Sequence, residues 1–371
     1  MPEENYTSQN TDSTVNQYTD FGFLTDWNYT EMGNVSSWEP EVDLKKERKF
    51  CSGIGWNFFI FLAVVYALQL AISYLIIRFG MEIYVFHFEI YFLLSMLPIY
   101  VIGYPLLELI SKRQETVKLK QKKMGTANFL ILLMMCFGVM IVGNIMGMLV
   151  NAIIGAIRGT PVVNSLDSAL SGNTLWMNIV VVGICAPVFE ELMFRKILVD
   201  RMARFGEATA MVVSGLMFGL FHGNFSQFFY AAFLGMLFAY VYVKTGKIRY
   251  SIAIHMIINL SSTLILPAMQ LINDSNSSLQ SMNPVELMEF VAGEPQFIAA
   301  VFGLLIYEVL LYGMGIAGIV LLLVKKRKFT FSKGSVTLPR GKRSAVVWGN
   351  AGMIAFTIGC MVMFVVTLCV T

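Results

Sequence analysis

The chain has 371 residues, of which 56% are hydrophobic and 14% charged, with a formal net charge of +3. A soluble domain carries about a quarter charged residues, so the composition excludes an ordinary water-soluble globule and makes lipid the main solvent. The small net charge excludes the strongly basic surface that nucleic-acid binding needs.

Residues 1–48 are predicted to form a disordered, acidic, cytoplasmic tail. Nine acidic residues fall before residue 44 (Glu3, Glu4, Asp12, Asp20, Asp26, Glu31, Glu39, Glu41, Asp43), with no Lys or Arg among them. One-sided charge and few aliphatics leave too little apolar surface to offset ordering. Trp27 and Trp38 leave a docking role open for this tail.

Apolar runs that meet or approach the roughly 20 residues of a spanning helix then follow. They lie at 54–77, 84–110, 127–157, 173–194, 207–223, 225–243, 250–272, 297–324 and 344–370. The fold class expected is an all-α polytopic membrane protein with about nine transmembrane helices. Its parts are the tail, N-terminal transmembrane helices over 49–172, a core over 173–270, and an outer loop with the C-terminal transmembrane helices over 271–371. The fifth and sixth runs are short and form a hairpin at His222-Gly223-Asn224.

Charge tests that count. With the N-terminus inside, the inner segments are 45–49, 112–123, 195–204, 244–249 and 325–343, and they hold 25 of the 27 lysines and arginines. This is a strong positive-inside pattern, and it puts the C-terminus outside. A multi-pass protein of a bacterial cell membrane is the expectation. The five cysteines (Cys51, Cys136, Cys185, Cys360, Cys369) lack CxxC spacing and read as apolar packing residues.

Short loops leave the function to be written inside the membrane. An ionisable residue at a span's centre costs about 2.5–3.5 kcal/mol on insertion scales, so those that persist are functional candidates. The fourth run ends in Phe189-Glu190-Glu191-Leu192-Met193-Phe194-Arg195. Neighbouring helical residues point about 100° apart, so Glu190 and Glu191 serve different faces. Glu191 and Arg195 stand at i, i+4 with the acid first, the favourable order for an ion pair. The fifth run closes on Phe218 and His222, which share a face. The seventh carries His255 and Asn259, again one turn apart. Taken singly, each also fits a plainer role: a snorkelling charge, a satisfied helix-end histidine, or interhelical hydrogen-bond glue. Glu190, His222 and His255 are spaced by 32 and 33 residues, one helix or hairpin apart. Counted in rise, His255 lies nearer the inner end than Glu190 and His222, a difference that tilt must absorb.

Glu-Glu-x-x-x-Arg, Phe-x-x-x-His and His-x-x-x-Asn on successive membrane helices resemble the CAAX-protease-and-bacteriocin-processing (CPBP, or Abi) family, over residues 173–266. The resemblance implies a membrane endopeptidase. It implies Glu190 as general base, His222 helping to hold the water, and His255 and Asn259 as oxyanion donors. Glu191, Arg195 and Phe218 support them. Expected partners are a hydrophobic or lipid-modified peptide or membrane-protein substrate, and membrane lipids.

No cofactor is needed in that reading. A second has Glu190, His222 and His255 as three ligands of a zinc ion with an open fourth position. No His-Glu-x-x-His motif occurs to favour it. A third is a catalytically silent immunity or scaffold protein. A fourth is a transporter with Glu89, His87, Glu108 and Glu308 on an ion path, though no internal repeat supports it.

Overall fold

The structure, a computed structural model, describes residues 42–79, 88–163, 170 and 172–370. The acidic tail up to residue 41, and His87 with it, lie outside the described residues. Those described form helices and connecting segments, with no strand among them.

Each apolar run becomes a helix. In chain order they are α1 (Leu44–Phe79), α2 (Glu89–Ser111), α3 (Thr126–Arg158), α4 (Leu175–Phe205), α5 (Glu207–Phe221), α6 (Phe225–Thr245) and α7 (Ile248–Ser281). Then come α8 (Pro284–Gly293), α9 (Pro295–Lys325), the short α10 (Arg343–Val347) and α11 (Ala351–Val370). Eight of these are long and apolar enough to cross a membrane; α5 is apolar but has 15 residues. The chain is an all-α polytopic membrane protein.

Three boundaries differ from expectation, each for a local reason. Helix begins at Leu44, inside the segment assigned to the tail, because Asp43 caps it: its Oδ1 accepts from the backbone N–H of Lys45 and Lys46 at 2.9 and 3.1 Å. Residues 195–204, expected as an inner loop, stay helical because their charges are paired within the protein. The outer loop expected from residue 271 is mostly helix, since α7 runs on to Ser281 and α8 restarts at Pro284. Asn283 and Glu286 form a reciprocal capping box there.

Two helices carry π-helical turns, where the ladder widens by a residue. In α2 the turn is Pro98–Gly103; in α4 the turns are Ile179–Cys185 and Leu192–Val199. Pro105 and Pro187 follow the first two. A proline in a helix cannot donate to the carbonyl four residues back and clashes with it. Those carbonyls belong to Val101 and Gly183, both inside π-turns that carry them aside.

The α5–α6 hairpin is the centre. Of the most apolar stretch of α6, 61% is buried, against 11% for α9. One apolar cluster joins α1, α4, α5 and α11, and a second joins α3, α6, α7 and α9. Outward faces carry Leu70, Met148, Ile157 and Val309, all well exposed as lipid-facing residues should be.

All five basic segments meet at one end of the molecule. Arg204 pairs with Glu47 at 3.1 Å and Glu115 at 3.2 Å. The Val117 N–H donates to Asp200 O, Lys122 N–H to Thr245 O, and Val336 N–H to Arg204 O. Lys244 pairs with Glu207, whose N–H donates to Ser332 O.

Candidate active site

The site is built where α4, α5, α6 and α7 converge. Glu190 and Glu191 sit on the short α-helical stretch Ala186–Glu191, bracketed by the two π-turns of α4. As the 100° offset predicts, they serve different partners. Glu191 is fully buried and pairs with the equally buried Arg195, Oε1 to Nη1 at 3.0 Å. The same Oε1 lies 3.2 Å from His255 Nδ1, so one oxygen ties α4 to α7. Glu190 turns its Oε2 toward His255 Nε2 at 3.5 Å and keeps 18% of its side chain accessible.

Arg195 is anchored on α6. Its Nη2 donates to the Gly235 carbonyl at 3.0 Å, and its guanidinium lies 4.8 and 5.2 Å from the ring centres of Phe218 and Phe238. The π-faces of these rings replace part of the hydration the cation has lost. Phe238 also packs against the His255 ring at 4.8 Å. Phe218 touches both imidazoles edge-on, His222 at 4.8 Å and His255 at 5.8 Å.

His222 ends α5. Gly223 follows with φ of +64°, where a side chain is strained and an added Cβ would meet Met363. Asn224 then caps α6, its Oδ1 accepting from Gln227 N–H at 2.9 Å. This three-residue turn fixes where His222 ends α5. The His222 Nδ1 lies 2.8 Å from the Phe218 carbonyl. A carbonyl only accepts, so Nδ1 carries the proton and Nε2 of the neutral ring offers a lone pair. His222 lies within electrostatic range of Glu190 and His255.

Asn259 donates from Nδ2 to the Val182 carbonyl at 3.0 Å. Val182 lies inside the π-turn Ile179–Cys185, where the widened ladder frees carbonyls. An amide has two N–H donors, so one remains for another partner. The structure thus gathers Glu190, Glu191, Arg195, Phe218, His222 and His255, with Asn259 one turn further along α7.

Among the described residues no three His, Cys, Asp or Glu side chains are grouped as a metal-ligand set. Phe238 and the acceptor carbonyls of Gly235 and Val182 escaped the sequence reading. The carbonyls have no side-chain signature, and Phe238 is one phenylalanine among 29. The contribution of α2 was also missed: Tyr100 stacks on Phe189 at 4.7 Å and Tyr104 meets it edge-on at 5.5 Å.

No curated protein and no solved structure matches the chain. Residues 172–261, about a quarter of the chain, match the family model described as Type II CAAX prenyl endopeptidase Rce1-like. That stretch contains all of the acid, imidazole, arginine and amide groups just described. In that stretch the chain is similar to the CAAX-protease family of membrane peptidases.

Proposed function

We propose that the protein is an intramembrane endopeptidase that hydrolyses a hydrophobic or lipid-modified peptide with water activated by Glu190. The single observation that supports this most is the split between the two adjacent glutamates. Glu191 is neutralised by Arg195 inside the helix bundle, while Glu190 stays accessible beside His255.

Glu190 takes a proton from water and returns it to the leaving amine. His222 Nε2 accepts a hydrogen bond from the same water and orients it. His255 and Asn259 donate to the oxyanion. Since the Nδ1 proton of His255 is directed at Glu191, donation from Nε2 needs a second ring proton. Glu190 faces that ring from the other side. Arg195 and Glu191 hold His255 in place.

The test uses the full chain in lipid nanodiscs and an internally quenched peptide ending in a farnesylated Cys-a-a-X sequence. Glu190→Gln keeps the shape and removes the base, so turnover should fall at least about 100-fold, the scale of general-base catalysis. Turnover should persist after exhaustive chelation. Loss on chelation with recovery on adding zinc would instead make Glu190, His222 and His255 metal ligands. Equal turnover by wild type and Glu190→Gln would leave a scaffold. Uptake that depends on Glu308 would leave a transporter.

A further inference from the structure

The helical stretch that carries Glu190 packs against an element outside the family-matched segment. In α2, Tyr100 sits within the π-turn Pro98–Gly103, and it is half-buried. Its ring lies nearly parallel to Phe189, with an interplanar angle of 28° and centroids 4.7 Å apart. Phe189 is the residue before Glu190. Tyr104, one turn on, closes the other side of Phe189 at 73°. The Tyr100 ring also packs on the buried cluster of Phe92, Met177 and Val181, which ties α2 to α4. Gly103 fixes the approach of α2 to α1, since a Cβ there would come within 2.6 Å of Phe61 and Val65.

The two tyrosine hydroxyls face different acids. Tyr104 lies within electrostatic range of Glu108. The Tyr100 hydroxyl lies within electrostatic range of Glu190 and Cys185 and has no hydrogen-bond partner among the described residues. A phenol O–H on a ring stacked against the neighbour of Glu190 is a donor available to a bound group.

A peptide bound at Glu190 has the complementary need. In a lipid-embedded site water does not satisfy the carbonyls flanking the scissile bond, and each unsatisfied one costs free energy comparable to a lost hydrogen bond. Glu190 and His222 Nε2 are acceptors and cannot serve them. We propose that Tyr100 is a substrate-positioning residue. Its O–H donates to a backbone carbonyl of the bound peptide, and the Tyr100–Phe189–Tyr104 stack receives the neighbouring apolar side chain. This inference rests on the peptidase reading above.

The experiment compares wild type, Glu190→Gln, Tyr100→Phe and Tyr100→Leu in nanodiscs with the same farnesylated quenched peptide. Tyr100→Phe keeps the ring on Phe189 and removes only the hydroxyl. KM should rise about tenfold while kcat changes less than threefold, the pattern of a lost binding contact. Tyr100→Leu, which removes the stack as well, should lower kcat too. Peptide anisotropy on Glu190→Gln with and without Tyr100→Phe gives the binding loss without turnover and should also show about tenfold. Wild-type kinetics in Tyr100→Phe, with only Tyr100→Leu impaired, would make the residue structural and overturn the proposal. An inert wild-type protein would remove the peptidase reading itself, and the role of Tyr100 with it.

Discussion

Each catalytic candidate is half of a pair whose other half hides it or frees it. Glu191 and Arg195 are both fully buried, so each depends on the other for its charge. Removing one partner of a buried pair costs about 3–5 kcal/mol, because the remaining charge is left uncompensated. Arg195→Leu should therefore lower stability by about that amount in thermal unfolding in detergent. The double variant Glu191→Leu with Arg195→Leu should recover much of the stability. It should not recover peptide cleavage, because His255 Nδ1 loses its acceptor at 3.2 Å. Arg195→Lys should fare poorly as well, since an ammonium cannot reproduce a planar group held between Phe218 and Phe238. At this scale the acid, the imidazoles and the arginine were legible, because a charge inside an apolar run is conspicuous. The Gly235 carbonyl and the Phe238 face were not, because a backbone acceptor or one ring among many has no pattern to read; Phe218 was named through its spacing from His222.

At the level of elements, the α5–α6 hairpin sets where His222 lies. The helices touch where Gly219 faces α6: a Cβ there would stand 2.6 Å from the Phe228 carbonyl and 2.8 Å from the Ala232 methyl. Small residues allow this approach, which lipid itself does not drive. Gly219→Leu should part the helices and withdraw His222 from Glu190. The expected readout is loss of cleavage with a lower unfolding temperature, whereas Gly303→Leu, at an open position, should be neutral. All nine apolar runs were legible as helices from length and hydropathy alone. The helical character of 284–293 was hidden by its acidic residues, although Asn283, Pro284 and Glu286 form a start signal that local capping chemistry explains. The π-turns had a partial signal in Pro105 and Pro187; nothing comparable marks Leu192–Val199.

For the molecule as a whole, the distribution of lysine and arginine carries the topology. The basic segments were expected on one side, and the structure joins them at one end through Arg204, Asp200, Glu207 and Thr245. If α5 crosses together with the eight longer helices, nine crossings put the two termini on opposite sides of the bilayer. An impermeant protease applied from outside should remove a C-terminal epitope tag and spare an N-terminal one; the reverse result would invert the orientation, and both tags spared would contradict nine crossings. Breaking the shared anchor should reach across the fold. Arg204→Ala releases Glu47 on α1 and Glu115 on the α2–α3 connection together. It should destabilise more than loss of the exposed partner, Glu115→Ala, since surface pairs contribute about 0–1 kcal/mol.

The widened turns on either side of the glutamate pair make this helix sensitive to counting as well as to chemistry. Each turn accommodates a surplus residue, and removing one swings everything beyond it by about 100° about the axis. A deletion within 183–185 would turn Glu190 relative to the Val182–Asn259 link, and one within 192–194 would turn Arg195 away from Glu191, although every residue type needed for reaction would remain. Lineages of this chain are therefore expected to tolerate conservative exchanges along this stretch and to reject changes in its length.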